Sequence, residues 1–357
     1  MRDSLPVQRP RVLVTDAWHP QVNGVVNTWT YMQRELTAMG EPLTVVHAGG
    51  APGIDVPGEP GLRLCLRPRC QILQALAGRT PASLHIATEG PLGWAARRLA
   101  LARGWAFTTS YHTRFPDYLK ARYGVPPSWT HAVLRRFHAP SRAVLVPTAD
   151  LRDELTAAGF ARVQVWARGV DGERFAPGAR DALGLARPIH LCVGRVAPEK
   201  NLAAFLALDL PGTKVVIGDG PERARLQARH PQVHWLGAHD HAGLGRFYDA
   251  ADVFVFPSRT DTFGLVMLEA MACGCPVAAY PEAGPRNVVT PGVSGVLHTE
   301  LGEACRAALQ LDRSAVRAQA LKRSWRSIAE QLLGHFVAAD LRSADTRTPD
   351  QRAPAGP

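Results

Sequence analysis

Six short apolar runs punctuate each half of the chain, and that repeat limits the fold more than any other feature. In the first half they lie at 12–15, 43–48, 84–87, 106–110, 143–147 and 163–166. In the second they lie at 190–193, 214–217, 233–236, 253–256, 276–279 and 295–297. Most are rich in Val and weakly alternated, as expected of strands covered on both faces. Helical stretches such as 25–40 and 95–104 separate many of them. This alternation predicts an α/β protein with two Rossmann-like, doubly wound parallel sheets, one per half. A chain of 357 residues is in any case too long for one ordinary core.

A stretch rich in Gly, Arg and Ala at 168–187 reads as the linker. We therefore expect a first domain over 1–170 and a second over 171–320. A C-terminal segment over 321–342 should be helical, with Trp325, Ile328, Leu332, Leu333 and Phe336 mostly at 3–4 residue spacing, and is placed to cross back to the first domain. The polar, Pro-rich residues 343–357 should be a disordered tail.

Hydrophobic residues at 46% and charged residues at 20% describe a soluble globular protein. No apolar run approaches the roughly 18 residues of a membrane span, and the N-terminal stretch lacks the apolar core of a secretory signal. Six cysteines show neither a disulfide framework nor zinc spacing; Cys273-Gly-Cys275 reads as a small-residue helix end. Free thiols fit a reducing cytosol. The basic excess is uneven: residues 1–170 hold 20 Lys and Arg against 11 Asp and Glu, while the remainder holds 21 against 20. This asymmetry points to an anionic partner for the first half, whether a lipid surface, a phosphorylated acceptor or nucleic acid. An arginine-rich proteome would give the same count.

Dinucleotide and P-loop chemistry can be set aside. The loop after the first run, Asp16 to Gly24, lacks G-x-G-x-x-G; Gly218-Asp219-Gly220 supplies a fragment, and no Walker-A lysine pattern occurs. Residues 258–276, SRTDTFGLVMLEAMACGCP, are more informative. Asp261 precedes Thr262, Phe263 and Gly264, and 265–272 reads as a short apolar helix stopped by Gly274 and Pro276. Its free N–H groups make an anion site, which Gly264 lets a ligand approach closely. Glu269 stands roughly 12 Å from Asp261 at helical rise, a separation that could grip both ends of a sugar–diphosphate–nucleoside. A capping Asp and a structural Glu in an ordinary α/β domain would look the same in isolation.

The spacing resembles the acidic E-x7-E signature of retaining glycosyltransferases of family 4, with Asp261 in place of the first Glu. Over roughly residues 10 to 340 the resemblance also takes in Asn23-Gly24-Val25-Val26, Thr88 to Gly93, Ser110-Tyr111-His112-Thr113 and Arg168-Gly169-Val170-Asp171. Further on it includes Gly194-Arg195, Glu199-Lys200-Asn201 and Gly218-Asp219-Gly220-Pro221. Within the family, the neighbourhood is that of bacterial GDP-mannose-dependent α-mannosyltransferases and the sulfoquinovosyl- and glucosyl-diacylglycerol synthases.

The resemblance implies a GT-B fold, two Rossmann-like domains facing a cleft, and a retaining transferase moving a hexose, first of all mannose from GDP-mannose, to a lipid-linked or glycan acceptor. It implies that Arg195 and Lys200 clamp the diphosphate and that Asp261, Thr262, Phe263, Gly264 and Leu265 hold the sugar end. Glu269 would hold the ribose, with Gly24, Gly194, Gly218 and Asp219 around the donor and His112 beside the sugar. No metal and no cofactor is expected, because the cations would offset the charge of the leaving group. A glycosidase-like covalent mechanism would need two carboxylates roughly 5 Å apart, closer than Asp261 and Glu269.

His19 is a candidate on the acceptor side. Trp129, Arg135 and Arg136 belong to a stripe, with Val133, Leu134 and Phe137, that either lies on an anionic membrane or faces inward onto a sheet. The expected location is cytoplasmic, at the inner face of the plasma membrane if that stripe binds lipid, with no nucleic-acid partner. A GT-B-fold nucleotide-sugar epimerase and a non-catalytic nucleotide-sugar-binding protein are the competing readings.

Overall fold

A computed structural model describes residues 9–21, 23–50, 52–55, 63–112, 126–241, 243–261 and 263–340. The expected tail at 343–357, Thr113 and the site candidate Thr262 lie outside the described residues. The chain forms two compact units. Of the described residues, unit 1 takes 9–146, 152–166 and 329–340, and unit 2 takes 147–151 and 167–328.

Unit 1 contains β1 (Arg11–Thr15), β2 (Leu43–His47), β3 (Gly53–Asp55), β4 (Arg63–Cys65), β5 (Ser83–Ile86), β6 (Thr108–Ser110), β7 (Val144–Val146) and β8 (Val163–Val165). Its helices are α1 (Gly24–Ala38), α2 (Pro68–Leu76), α3 (Pro91–Arg103) and α4 (Pro127–His138), followed by α5 (Ala149–Ala157), which begins among the unit 2 residues. The sheet runs β2-β1-β5-β6-β7-β8, all parallel, while β3 and β4 form a separate antiparallel pair.

Unit 2 contains β9 (Ile189–Val193), β10 (Thr213–Ile217), β11 (His234–Gly237), β12 (Val253–Phe256), β13 (Val277–Ala279) and β14 (Gly295–Leu297). Its helices are α6 (Leu202–Leu206), α7 (Arg223–Arg229), α8 (Gly245–Ala250), α9 (Leu265–Ala272), α10 (Ala283–Val288), α11 (Leu301–Ala308) and α12 (Arg313–Leu321). The final helix, α13 (Trp325–His335), starts in unit 2 and runs into residues of unit 1. The sheet order β11-β10-β9-β12-β13-β14 is that of a doubly wound dinucleotide-type fold, with its switch point between β9 and β12.

Both faces of the unit 2 sheet are covered, which explains why its strands read as continuous apolar runs. Along β12, Phe254 and Phe256 join one core cluster with Leu191, Val215 and Met267, whereas Val253 and Val255 join another with Phe205, Val216 and Ala304. In unit 1, Val12, Val14, Ile86, Leu92, Phe107 and Phe137 form the main cluster.

The C-terminal segment corrects one expectation. A single helix through 321–342 does not form, because α12 ends at Leu321 and α13 spans Trp325–His335. Between them the backbone is used sideways: Val170 N–H donates to Arg323 O at 2.9 Å, Val170 pairs with Ser324, and Ser324 Oγ accepts from Ser327 N–H. After α13 the chain extends, and Ala339 exchanges hydrogen bonds with Ala82 and Ala106 of unit 1.

Candidate active site

In unit 2 the candidate residues gather at the carboxyl ends of β9, β10 and β12, around the switch point where ligands of open α/β sheets bind. Arg195 follows β9, is exposed and has no side-chain partner among the described residues. Lys200 ends the 3₁₀ turn Pro198–Lys200. That turn is tied to the loop after β12, since Asn201 Nδ2 donates to Pro257 O at 3.1 Å and Ser258 Oγ to Glu199 O at 3.3 Å. Lys200 Nζ consequently meets Asp261 Oδ1 at 2.5 Å. The second oxygen, Asp261 Oδ2, is buried and has no hydrogen-bond partner among the described residues.

Gly194 and Gly218 are brought together by backbone bonding: Gly194 N–H donates to Ile217 O, and Val196 N–H to Asp219 O. The approach is so close that a Cβ on Gly218 would sit 1.9 Å from Gly194 O. Asp219 braces its own loop, with Oδ1 accepting from Gly220 N–H at 2.7 Å and Oδ2 from Arg223 at 3.0 Å. These donors hold its carboxyl below the usual range.

Among the described residues the start of α9 has no side-chain cap. Gly264 stands there with φ +87°, in the left-handed region, and a Cβ would press on Met267 Cε at 2.7 Å and Phe256 Cζ at 3.0 Å. Phe263 is buried beneath this turn and Leu265 opens the helix. One turn on, Glu269 is 6% exposed. Its Oε2 accepts from Tyr248 Oη at 3.0 Å, and its Oε1 from His241 Nε2 at 2.7 Å. Arg174 Nη1 lies 3.4 Å from His241 Nδ1, so the imidazole accepts there and donates through Nε2. Burial first, then the Glu269 charge, pushes the Tyr248 phenol well above its ordinary range and keeps it a donor. Neither Tyr248 nor His241 was found by sequence reading. They precede Glu269 by 21 and 28 residues, and no spacing rule links them.

The flanking thiols are packing groups. Cys273 and Cys275 are fully buried, and burial raises both thiols, Cys275 to about 12.

In unit 1, Gly24 opens α1, but the residue before it closes the helix start. Asn23 Oδ1 accepts from Val25 N–H and Val26 N–H, both at 3.0 Å. His112, half-buried after β6, accepts through Nε2 from Trp29 Nε1 at 3.1 Å. His19 pairs with Thr30 Oγ1 through Nε2 at 2.9 Å and lines a cavity of about 240 Å³ together with Trp18, His47, Asp55 and Arg63. His47 is held below its ordinary range by burial and by His19. Asp16 borders the same cavity, yet its carboxylate is spent on α3: Oδ1 accepts from Leu92 N–H at 2.9 Å and Oδ2 from Thr88 Oγ1 at 2.8 Å.

Trp129, Arg135 and Arg136 do not line that cavity. On α4, Leu134 and Phe137 face the core while Trp129 and Val133 are 74% and 55% exposed. The apolar stripe is therefore divided between the two expected uses. Arg135 is turned along the surface to donate to Ala158 O at 2.7 Å.

Two parallel Rossmann-like sheets with an anion-ready helix start at a switch point define a GT-B protein, and structural comparison agrees. Sucrose-phosphate synthase from Thermosynechococcus elongatus superposes with a TM-score of 0.75 over 92% of this chain and 98% of its own, at 21% identity. Anabaena HepE, in its complex with UDP and glucose, gives 0.69 over 92% and 99%, at 16% identity.

Residues 22–174 match the model of Glycosyltransferase Family 4, and residues 187–311 that of Glycosyl transferases group 1. The GDP-mannose-dependent alpha-mannosyltransferase of Mycobacterium tuberculosis is 33% identical over 365 residues, covering 91% of this chain and 96% of that protein. The sulfoquinovosyl transferase SQD2 of Arabidopsis thaliana is 31% identical over 77% of this chain and 60% of its own. The chain belongs to glycosyltransferase family 4. It is a hexosyltransferase by family, of a class that uses nucleotide-sugar donors. Among the described residues no helix is long and apolar enough to cross a membrane.

Proposed function

We propose that this enzyme transfers mannose from GDP-mannose, with retention and without a metal ion, to a lipid-linked or glycan acceptor. The observation that carries the reading is the Asp261 carboxylate: one oxygen on Lys200 at 2.5 Å, the other buried and unpartnered, beside an uncapped helix start. A buried acceptor without a donor costs about 1–3 kcal/mol, and a sugar hydroxyl supplies the missing donor. The uncapped N–H groups suit the adjacent phosphates.

In the reaction the acceptor oxygen bonds to the anomeric carbon as the bond from that carbon to the phosphate oxygen breaks. The acceptor proton passes to the departing phosphate on the same face, and nucleoside diphosphate leaves. Arg195 and Lys200 offset the charge that grows on the leaving group, so the barrier falls through positioning and electrostatics. Glu269, oriented by Tyr248 and His241, keeps further lone pairs for the ribose hydroxyls. The relatives named as GDP-mannose-dependent α-mannosyltransferases, at about 30% identity over most of their length, support mannose and guanosine. The cavity holding His19 suits one acceptor ring, because Trp18 offers an apolar face among polar groups.

A donor-by-donor assay of hydrolysis and transfer in the presence of EDTA tests the reading. Mannose transfer from GDP-mannose at full rate is expected. Interconversion of donor epimers would mark an epimerase instead, and binding without turnover a non-catalytic protein. Loss of activity in EDTA with recovery on adding magnesium would refute the metal-free route.

A further inference from the structure

We infer that Trp29 fixes the tautomer of His112, holding the proton on Nδ1 and keeping the Nε2 lone pair engaged; as a statement about catalysis, this rests on the proposed reading of His112 as a group beside the donor sugar. An indole nitrogen can donate a hydrogen bond and cannot accept one. Trp29 Nε1 lies 3.1 Å from His112 Nε2, with the two rings at 90° and their centroids 6.2 Å apart. Nε2 must therefore present a lone pair, and in a neutral imidazole the proton then resides on Nδ1.

Trp29 is locked in that role. It is fully buried between two rings, Trp166 at 5.2 Å and His85 at 4.8 Å. His85 is itself buried and held by Thr108 Oγ1 and Ser110 Oγ, both at 2.8 Å. Ser110 ends β6 two residues before His112, so the same strand end carries the ring and one anchor of the group behind Trp29. Rotation of His112 out of register would strand a buried indole N–H, which ordinary packing does not tolerate.

The consequence is chemical. His112 Nε2 is taken up by the Trp29 N–H and is not available as a general base. Trp29 thereby acts as a positioning residue, and removal of the acceptor proton is left to the leaving phosphate.

The test uses the full chain with ¹⁵N-labelled histidine, reading imidazole tautomers from two-bond proton–nitrogen correlations. The His112 signal is assigned by its loss in His112→Gln. The expected wild-type pattern is Nδ1–H. Trp29→Phe keeps the ring packing but lacks the donor; it should move His112 toward Nε2–H and lower kcat about tenfold, with the donor KM within about twofold. A wild-type Nε2–H pattern would overturn the inference without any variant, so a poorly folding variant does not leave it undecided. An unchanged tautomer in Trp29→Phe overturns it as well, and a changed tautomer with unchanged kcat removes Trp29 from the reaction. The spectrum does not depend on turnover, so absence of transferase activity would strike the proposed function and leave the tautomer assignment to be judged separately.

Discussion

The helix starts of α1 and α9 look alike in sequence and are opposite in state. Each follows a strand of a parallel sheet, each has a glycine at the turn, and each continues into a helix, amphipathic at α1 and apolar at α9. At α1 the Asn23 side chain already takes the Val25 and Val26 N–H groups. At α9 no side chain among the described residues does so, and the nearby Asp261 keeps a buried oxygen without a partner among them. A start closed by its own residue is complete without a ligand, whereas an uncapped one leaves orphan donors that something else must satisfy. The contrast favours the α9 start as the anion site and disfavours the α1 start at Gly24, which the family resemblance places around the donor.

The largest effect should come from the cations that follow β9, of which Lys200 pairs with Asp261 just before α9. Lys200→Ala or Arg195→Ala is expected to lower kcat by on the order of 10²-fold or more, comparable to losing a preorganised electrostatic donor. Near-normal steady-state turnover in both variants would end the contrast, since α9 would then be no more a catalytic start than α1.

A smaller effect, divided between two ligand ends, should come from the carboxylates. Asp261→Asn should weaken use of the nucleotide sugar while sparing free nucleoside diphosphate, and Glu269→Gln should weaken both by about 1.5–3 kcal/mol, the scale of a hydrogen bond to a charged group. Calorimetry with the free nucleotide reads the difference, and the reverse order would exchange the two assignments.

The smallest effect belongs to α1. Asn23→Ala should cost about 1 kcal/mol of stability, as loss of an N-cap does, with donor KM unchanged. Thermal unfolding and kinetics on one preparation measure both. A marked rise in donor KM would show that Asn23 does more than close its helix.

Much of this molecule was legible from residue order. The twelve apolar runs became the strands of two six-stranded sheets because a strand covered on both faces must be apolar along its length. The motif residues Gly194, Arg195, Lys200, Gly218, Asp219 and Asp261 fell at strand ends, since short polar and glycine-rich segments between apolar runs have nowhere else to lie. The break in the C-terminal helix was not legible, because Leu321 to Ser324 carry no strong stop signal. Pairing with distant Val170 decides it.

Sequence by itself determined the alternation, the glycines that permit close loops, and the identity of the chemical groups, all of which are local properties. Tertiary structure alone decided which groups are already satisfied. Asn23 and Asp261 are both short polar side chains beside a helix start, yet one is spent and the other is not. His112 Nε2 is engaged by Trp29, 83 residues away in the chain, and Glu269 owes its orientation to Tyr248 and His241. Hydrogen bonds saturate within about 3 Å. Whether a polar group still has capacity for a ligand therefore depends on neighbours that the fold supplies and that no sequence interval encodes.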